Sequence, residues 1–387
     1  MSTPVPESPS NQTPDLAARR KRSRRLVGIV ATAAITVGGG SLAAKQLSSG
    51  EEHSDSYSRV IPGKTATTPT AHVTPSPSEK PTKNLIQTIE QLPGYGKQVS
   101  EQERQLMRTS SVEVVTTQKD TADPYSTVGF CTGIKVSIGG QSYVATARHC
   151  LISQDEAVGR WPQITTSSNP GHDPALHSVD NITQDVKSLR KEVSVYTVGA
   201  NGDPDMNNGV AVESIAGSYY PDMALLKAAP SSATTTAFDK LPAIDYENLL
   251  SDTAEAGAQA VIYSTPTSAG PRMIETTGTY LGVTSDPSDS ARSLAWVAID
   301  GKDATKDGCY WGGSGSAAYI AGAGITGPLY GRNHPGDADA EQGEAGRRSH
   351  IVHELGIDLG ATNTTLCGFS IINPDIATTM AHVADRE

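Results

Sequence analysis

The sequence predicts a loop-rich all-β protein. Three observations carry this. Glycine (37) and proline (24) are frequent among the 387 residues, while aromatics reach only 5%, which describes a chain of many turns rather than long helices. Short runs of strand formers recur, as in Val112 to Val115, Phe130 to Ile138 and Val144 to Ala147. Gly139-Gly140 separates the last two runs and suits a tight hairpin turn.

Taken from the N-terminus, residues 1–25 form a tail that begins polar and Pro/Ser-rich and ends in the basic cluster Arg19 to Arg25, RRKRSRR. Leu26 to Ala44 has no charge over 19 residues, about the minimum that crosses a bilayer. The basic flank places the N-terminus in the cytoplasm. Residues 26–44 are thus a transmembrane signal anchor, which the long basic tail favours, or a signal peptide cut near Ala43-Ala44. Either way the remainder is exported, extracellular or cell-surface, where disulfides form. Residues 45–109 open with a Ser/Thr/Pro-rich linker, Ser48 to Lys83. A short helix pair broken at Pro93-Gly94 follows in Leu85 to Arg108, as a pro-segment, a packing arm or more stalk. The folded domain is expected over 110–387.

Charge narrows the partners. Seven Lys/Arg against two acids in residues 1–45 leave residues 46–387 at −16 of the total −11. An acidic exported part disfavours nucleic acid and anionic lipid, and leaves the membrane to the N-terminal segment.

Three sites carry chemistry. Cys309 to Ser316 reads CYWGGSGS, with Ser314 among glycines; such a turn exposes backbone N–H groups beside a hydroxyl, as acyl transfer requires. Val144 to Leu151, VATARHCL, puts His149 where a strand ends, and the hairpin brings the sulfurs of Cys131 and Cys150 within bridging reach. Tyr219 to Lys227, YYPDMALLK, puts Asp222 before an apolar strand, where a carboxylate needs a hydrogen-bond partner. Each has an ordinary structural reading: a surface histidine, a turn aspartate, a loop serine. Their joint occurrence, with paired cysteines, favours the functional one.

These motifs resemble those of the chymotrypsin/trypsin-like serine peptidases, in family order. FCTG (Phe130 to Gly133) is similar to the strand that carries the first cysteine, TARHC to the histidine motif, DMALL to the aspartate motif and GGSGS to the serine motif. The resemblance spans about Ser110 to Glu387. It implies two antiparallel six-stranded β-barrels with a C-terminal helix, a protein or peptide substrate and no cofactor or metal. It implies catalytic His149, Asp222 and Ser314, an oxyanion hole from the N–H groups of Gly312 and Ser314, and a substrate-binding rim with Trp311, Tyr330 and Gly331. Arg332 or His334 in or just beyond the segment Ile325 to Arg332 would favour an acidic substrate residue. Four cysteines allow three pairings; the motifs favour Cys131–Cys150 and Cys309–Cys367, against four reduced thiols.

The chain also departs from that family. Gly313 stands where animal digestive members carry the aspartate that captures a newly cut amino terminus, so activity is not expected to depend on such a cut. Two residues, rather than one, separate Cys309 from Gly312. The interval from about Gln154 to Gly217 is long and reads as added loops. Gly356 to Thr364, GIDLGATNT, resembles a phosphate-binding motif of sugar-kinase/actin-like ATPases, but only Leu366 to Glu387 follow it; a strand-turn-strand piece leading to Cys367 is the better reading. A C-terminal helix is expected over Pro374 to Arg386. The function expected is an exported serine endopeptidase, with a peptidase-fold binding module as the alternative.

Overall fold

The computed structural model describes residues 87–386, apart from the internal segments 119–126, 154–155, 157–177, 230–234, 247–248, 251–252, 267–271, 287–288, 301–308, 310–311, 334–350 and 360–363. The basic tail, the expected membrane segment at 26–44 and the Ser/Thr/Pro-rich linker lie outside the described residues, within which no helix is long and apolar enough to cross a membrane.

The first sheet is built from β1 (Ser111–Gln118), β2 (Thr127–Ile138), β3 (Gln141–Ala147), β4 (Val179–Asn181), β5 (Lys191–Thr197), β6 (Val210–Ser218), β7 (Met223–Ala228) and β8 (Ile244–Asp245). Its path runs β1-β5-β6-β7-β3-β2-β8, and the β1–β2 pairing closes the first six into a barrel. Valines dominate these strands because a branched side chain packs well on a pleated surface. Val112, Val114, Val144, Val195, Ile215 and Leu226 form one buried cluster. The β2–β3 hairpin turns at Gly139 (φ +56°) and Gly140 (φ +80°). Two successive positive φ values define the turn whose twist matches antiparallel strands, and glycine adopts them without strain.

The second sheet comprises β9 (Gln259–Ser264), β10 (Ile274–Asp286), β11 (Asp289–Asp300), β12 (Ala318–Ile320), β13 (Gly324–Ile325), β14 (Leu329–Asn333) and β15 (Thr364–Ser370), in the order β13-β12-β9-β10-β11-β15-β14. The expectation of two closed barrels is corrected here. The described strands of this sheet curl without forming a closing ladder. Leu329, at the start of β14, instead bonds the loop before β12: its N–H donates to the Ser316 carbonyl (2.6 Å), and its carbonyl accepts from the Gly315 N–H (3.3 Å). A second contiguous cluster joins the two sheets, combining Ile134, Met223 and Leu225 with Val261, Ile262 and Val297.

The interval after Gln154 is also corrected: β5 and β6 are barrel staves, and β4 pairs with β6. Their polar flanks masked the alternation of Lys191–Thr197 in the sequence. In the N-terminal arm, a 3₁₀ turn spans Ile89–Gln91 and α1 spans Glu101–Ser110. Ser100 and Glu103 cap α1 reciprocally, which satisfies two amide groups that a helix start leaves unpaired. Leu92, Val99 and Met107 are buried in the core clusters, and Gln87–Thr88 pairs with Ile357–Asp358. The arm therefore packs as part of the folded unit. The short helices α2 (Thr183–Ser188) and α3 (Thr235–Asp239) follow α1, and residues 351–355 are also helical. Helix α4 (Pro374–Asp385) begins at an Asn373 cap with proline in its first turn and buries Ala377, Met380, Ala381 and Ala384, one face at helical spacing. It packs on β4, β6 and β7 of the barrel.

Glu113 breaks the apolar rule. It stands on β1 opposite Thr132 and Tyr196, is 1% exposed, and its Oε2 has no hydrogen-bond partner among the described residues. Burial pushes its pKa up from 4.5 to about 7. A folded pKa above the unfolded one means the fold prefers the protonated acid. The associated stability is complete below pH 4.5 and is lost as pH rises through about 7. Urea unfolding of the unaltered protein is expected to lose on the order of 3 kcal/mol from this group across that window. Glu113→Gln removes that slope and is the more stable protein at pH 8; equal pH slopes for the two proteins would exclude a buried acid at 113.

Candidate active site

The site begins with a carboxylate placed where water cannot reach it. The turn Tyr219–Asp222 closes with the Asp222 N–H on the Tyr219 carbonyl (2.8 Å), and Asp222 takes φ +62°. Aspartate tolerates that left-handed conformation better than bulkier residues do. The turn swings the side chain inward just before β7 begins, leaving it 2% exposed.

The barrel supplies its partners. After β3 the chain makes a 3₁₀ turn, Arg148–Cys150. Its start is pinned by the Arg148 N–H on the Asp222 carbonyl (3.1 Å). The His149 N–H donates to Asp222 Oδ1 (3.1 Å), and ring Nδ1 lies 2.6 Å from Oδ2. Facing an ionised carboxylate, Nδ1 carries the proton, which leaves the Nε2 lone pair free to accept one. The His149 side chain is 30% exposed, so the ring bridges a buried anion and an accessible surface.

Two arginines complete the surroundings of the carboxylate. Arg148 Nε lies 3.5 Å from Oδ1, its Nη1 donates to the Ile152 carbonyl (3.2 Å), and its guanidinium covers the Tyr219 ring at 4.7 Å. Arg292, on β11, is 6% exposed and is held between the rings of Tyr220 (4.8 Å) and Tyr330 (3.8 Å). Burial alone would raise the Asp222 pKa. The charge and hydrogen bond of His149, then the charges of Arg148 and Arg292, outweigh it and hold the carboxyl below its ordinary range.

Ser314 sits on a loop braced against the barrel. The Thr132 N–H donates to the Ser314 carbonyl (2.9 Å), and Thr132 Oγ1 donates to the Gly312 carbonyl (3.1 Å). Gly315 (φ +85°) lies so close to the barrel that a Cβ there would collide with the Thr132 carbonyl and Thr146 Oγ1 and come within 3.0 Å of Ala147 N. The Ser314 loop is thereby seated on the strand that ends two residues before His149. Among the described residues, the N–H groups of Gly312 and Ser314 donate to no backbone carbonyl, and Gly312 takes φ +93°.

Both disulfides form in the pairing implied by the motifs. Cys131–Cys150 ties β2 to the histidine turn, and Cys309–Cys367 ties the segment before Ser314 to β15. Tyr330 is the extra residue of a bulge between Leu329 and Gly331, a device that re-aims a side chain; here the ring lies over Arg292. Gly331 borders open space. Trp311, His334 and the side chain of Arg332 lie outside the described residues. GIDLGATNT provides the short strand Ile357–Asp358 and then β15, with 360–363 outside the described residues.

Sequence reasoning passed over Arg148, Arg292, Thr132 and Gly315. Arg148 is visible inside TARHC, but nothing in that string shows a buried guanidinium. Arg292 belongs to no motif, because its role depends on a turn some 70 residues away.

No family model matches the chain, and no curated protein matches it. Among solved structures it is similar to a thermostable serine protease, AL20, from an extremophilic microorganism, at 12% identity over 73% of this chain and 100% of that one, with a TM-score of 0.40. It is also similar to protease Anisep from Arthrobacter nicotinovorans, at 14% identity over 72% and 96%, with a TM-score of 0.38. An HtrA-type protease, AlgW with a tripeptide, aligns at 13% identity over 73% and 62%, with a TM-score of 0.37.

Gly315→Ala tests the seating of the loop. Overpacking against backbone at a positive φ is expected to cost about 3 kcal/mol. A thermal melt unchanged from that of the unaltered protein would show that the loop does not sit against Thr132 and Ala147.

Proposed function

We propose that the chain is an exported serine endopeptidase acting through His149, Asp222 and Ser314. One observation supports this above the others. A fully buried aspartate grips both the N–H and Nδ1 of His149, which holds the imidazole in the tautomer that accepts a proton at Nε2.

In this reading the Ser314 hydroxyl oxygen attacks the substrate carbonyl, and its proton passes to His149 Nε2. The oxyanion takes hydrogen bonds from the N–H groups of Gly312 and Ser314. The imidazolium then protonates the departing amine, leaving an acyl ester on Ser314. Water, deprotonated by the same imidazole, attacks the ester and releases the acid. Asp222 keeps its charge throughout and stabilises the transient imidazolium.

Substrate binding follows from the edge of the second sheet. β14 ends the strand path. A peptide in extended form adds there as a further strand, with main-chain hydrogen bonds carrying the affinity; Tyr330 and Gly331 border it, Gly331 with room for the peptide backbone. Trp311 is proposed to rim the same cleft. Two disulfides suit an oxidising compartment, and hence secretion or display at the cell surface.

A fluorophosphonate probe should label Ser314 and fail to label Ser314→Ala. His149→Ala is expected to lose about a millionfold in peptide hydrolysis, and Asp222→Asn about ten-thousandfold through the wrong tautomer. Equal labelling of the unaltered protein and Ser314→Ala would remove Ser314 as the nucleophile. A folded protein that cleaves nothing in a diverse peptide library would instead be a binding module on a peptidase scaffold.

A further inference from the structure

Arg292 comes from a different sheet than the residues it serves. It lies on β11, is buried, and its guanidinium is held face-on by Tyr220 from the turn before β7 and by Tyr330 from the β14 bulge. Tyr220 precedes Asp222 by two residues within one hydrogen-bonded turn. The same turn is fastened to the second sheet by Ser370 on β15, whose hydroxyl donates to the Pro221 carbonyl. A planar guanidinium stacks between aromatic rings with its charge intact, so the arrangement fixes a permanent cation near the Asp222 carboxylate.

Among the described residues, the charged groups bearing on that carboxylate are His149 and Arg148 from the 3₁₀ turn and Arg292 from β11. The phenols of Tyr219, Tyr220 and Tyr330 are the ionisable groups stacked on the two arginines. Of these groups, with a neutral imidazole, two cations act on one anion. Protonating the imidazole adds a third cation to the same buried space.

We propose that Arg292 is a positioning residue for the Asp222–His149 pair: it opposes protonation of the pair from across the sheet interface, so that the imidazole keeps its accepting lone pair at lower pH than it would without this guanidinium. The role rests on the peptidase reading, in which that lone pair takes the Ser314 proton. It also links the substrate edge to the chemistry, because the ring covering Arg292 belongs to Tyr330, beside Gly331. Coulomb attraction acts over several ångströms in a buried setting, so no direct bond from Arg292 to the carboxylate is required.

The experiment follows the His149 ring by NMR titration in Ser314→Ala protein, with its signal assigned by loss in His149→Asn; this readout needs no activity. Arg292→Met and Arg292→Gln are expected to raise the titration midpoint of the pair by at least about half a pH unit, a threefold gain in proton affinity. Arg292→Lys, which keeps the charge, should hold the midpoint near that of the parent protein. A midpoint unmoved in folded Arg292→Met, or moved equally by Lys and Met, overturns the proposal. If Met and Gln prevent folding, judged by circular dichroism, Tyr330→Leu decides. It uncovers the guanidinium to water and should move the midpoint in the same direction, whereas no movement overturns the proposal. Fluorophosphonate labelling of the Ser314 protein is run in parallel. Failure of labelling with a moved midpoint defeats the peptidase reading and leaves the electrostatic coupling; normal labelling with an unmoved midpoint does the reverse.

Discussion

A carboxylate removed from water is the constraint around which this molecule is arranged. Asp222 is 2% exposed, and an ionised group so placed is tolerable only when hydrogen-bonded and charge-paired. The structure meets that demand from two sides. The barrel brings the N–H and ring of His149 and the guanidinium of Arg148. The second sheet brings Arg292, clamped between two tyrosines. Neither sheet alone provides the full surroundings, so the interface between them is as much an electrostatic construction as an apolar one.

The same interface seats the Ser314 loop. Thr132 uses its N–H for the Ser314 carbonyl and its hydroxyl for the Gly312 carbonyl, and the missing side chain at Gly315 lets the loop reach the barrel backbone. The disulfide from Cys131 to Cys150 joins the residue before Thr132 to the residue after His149. The proposed base and the proposed nucleophile are thus held to one pair of strands by covalent and hydrogen-bonded ties. Rigid support of this kind is what a reaction needs when a small displacement of the reacting groups is costly.

Elsewhere the fold shows local chemistry deciding local shape. Gly139-Gly140 makes a hairpin because both positions need positive φ. α4 forms because Asn373 caps it, Pro374 suits its first turn, and four small or flexible residues share one face. β5 is the contrary case: Lys191-Glu192 at its start and Tyr196-Thr197 at its end dilute the alternation, and only pairing with β1 and β6 makes it a stave.

Sequence alone determined what short-range physics controls. The all-β class, the β2–β3 hairpin and the C-terminal helix were legible because each is encoded within a few neighbouring positions. What only the tertiary structure decided is whatever depends on residues far apart in the chain. Among the described residues the second sheet forms no closing ladder, and Leu329 of β14 bonds the Gly315–Ser316 loop. The arm before Ser111 joins the core through Leu92, Val99 and Met107. Arg292 gains its place against Tyr220 and Tyr330 only when a strand, a turn and a bulge from three parts of the chain converge. Burial and electrostatic surroundings are properties of that convergence, and no local pattern of residues contains them.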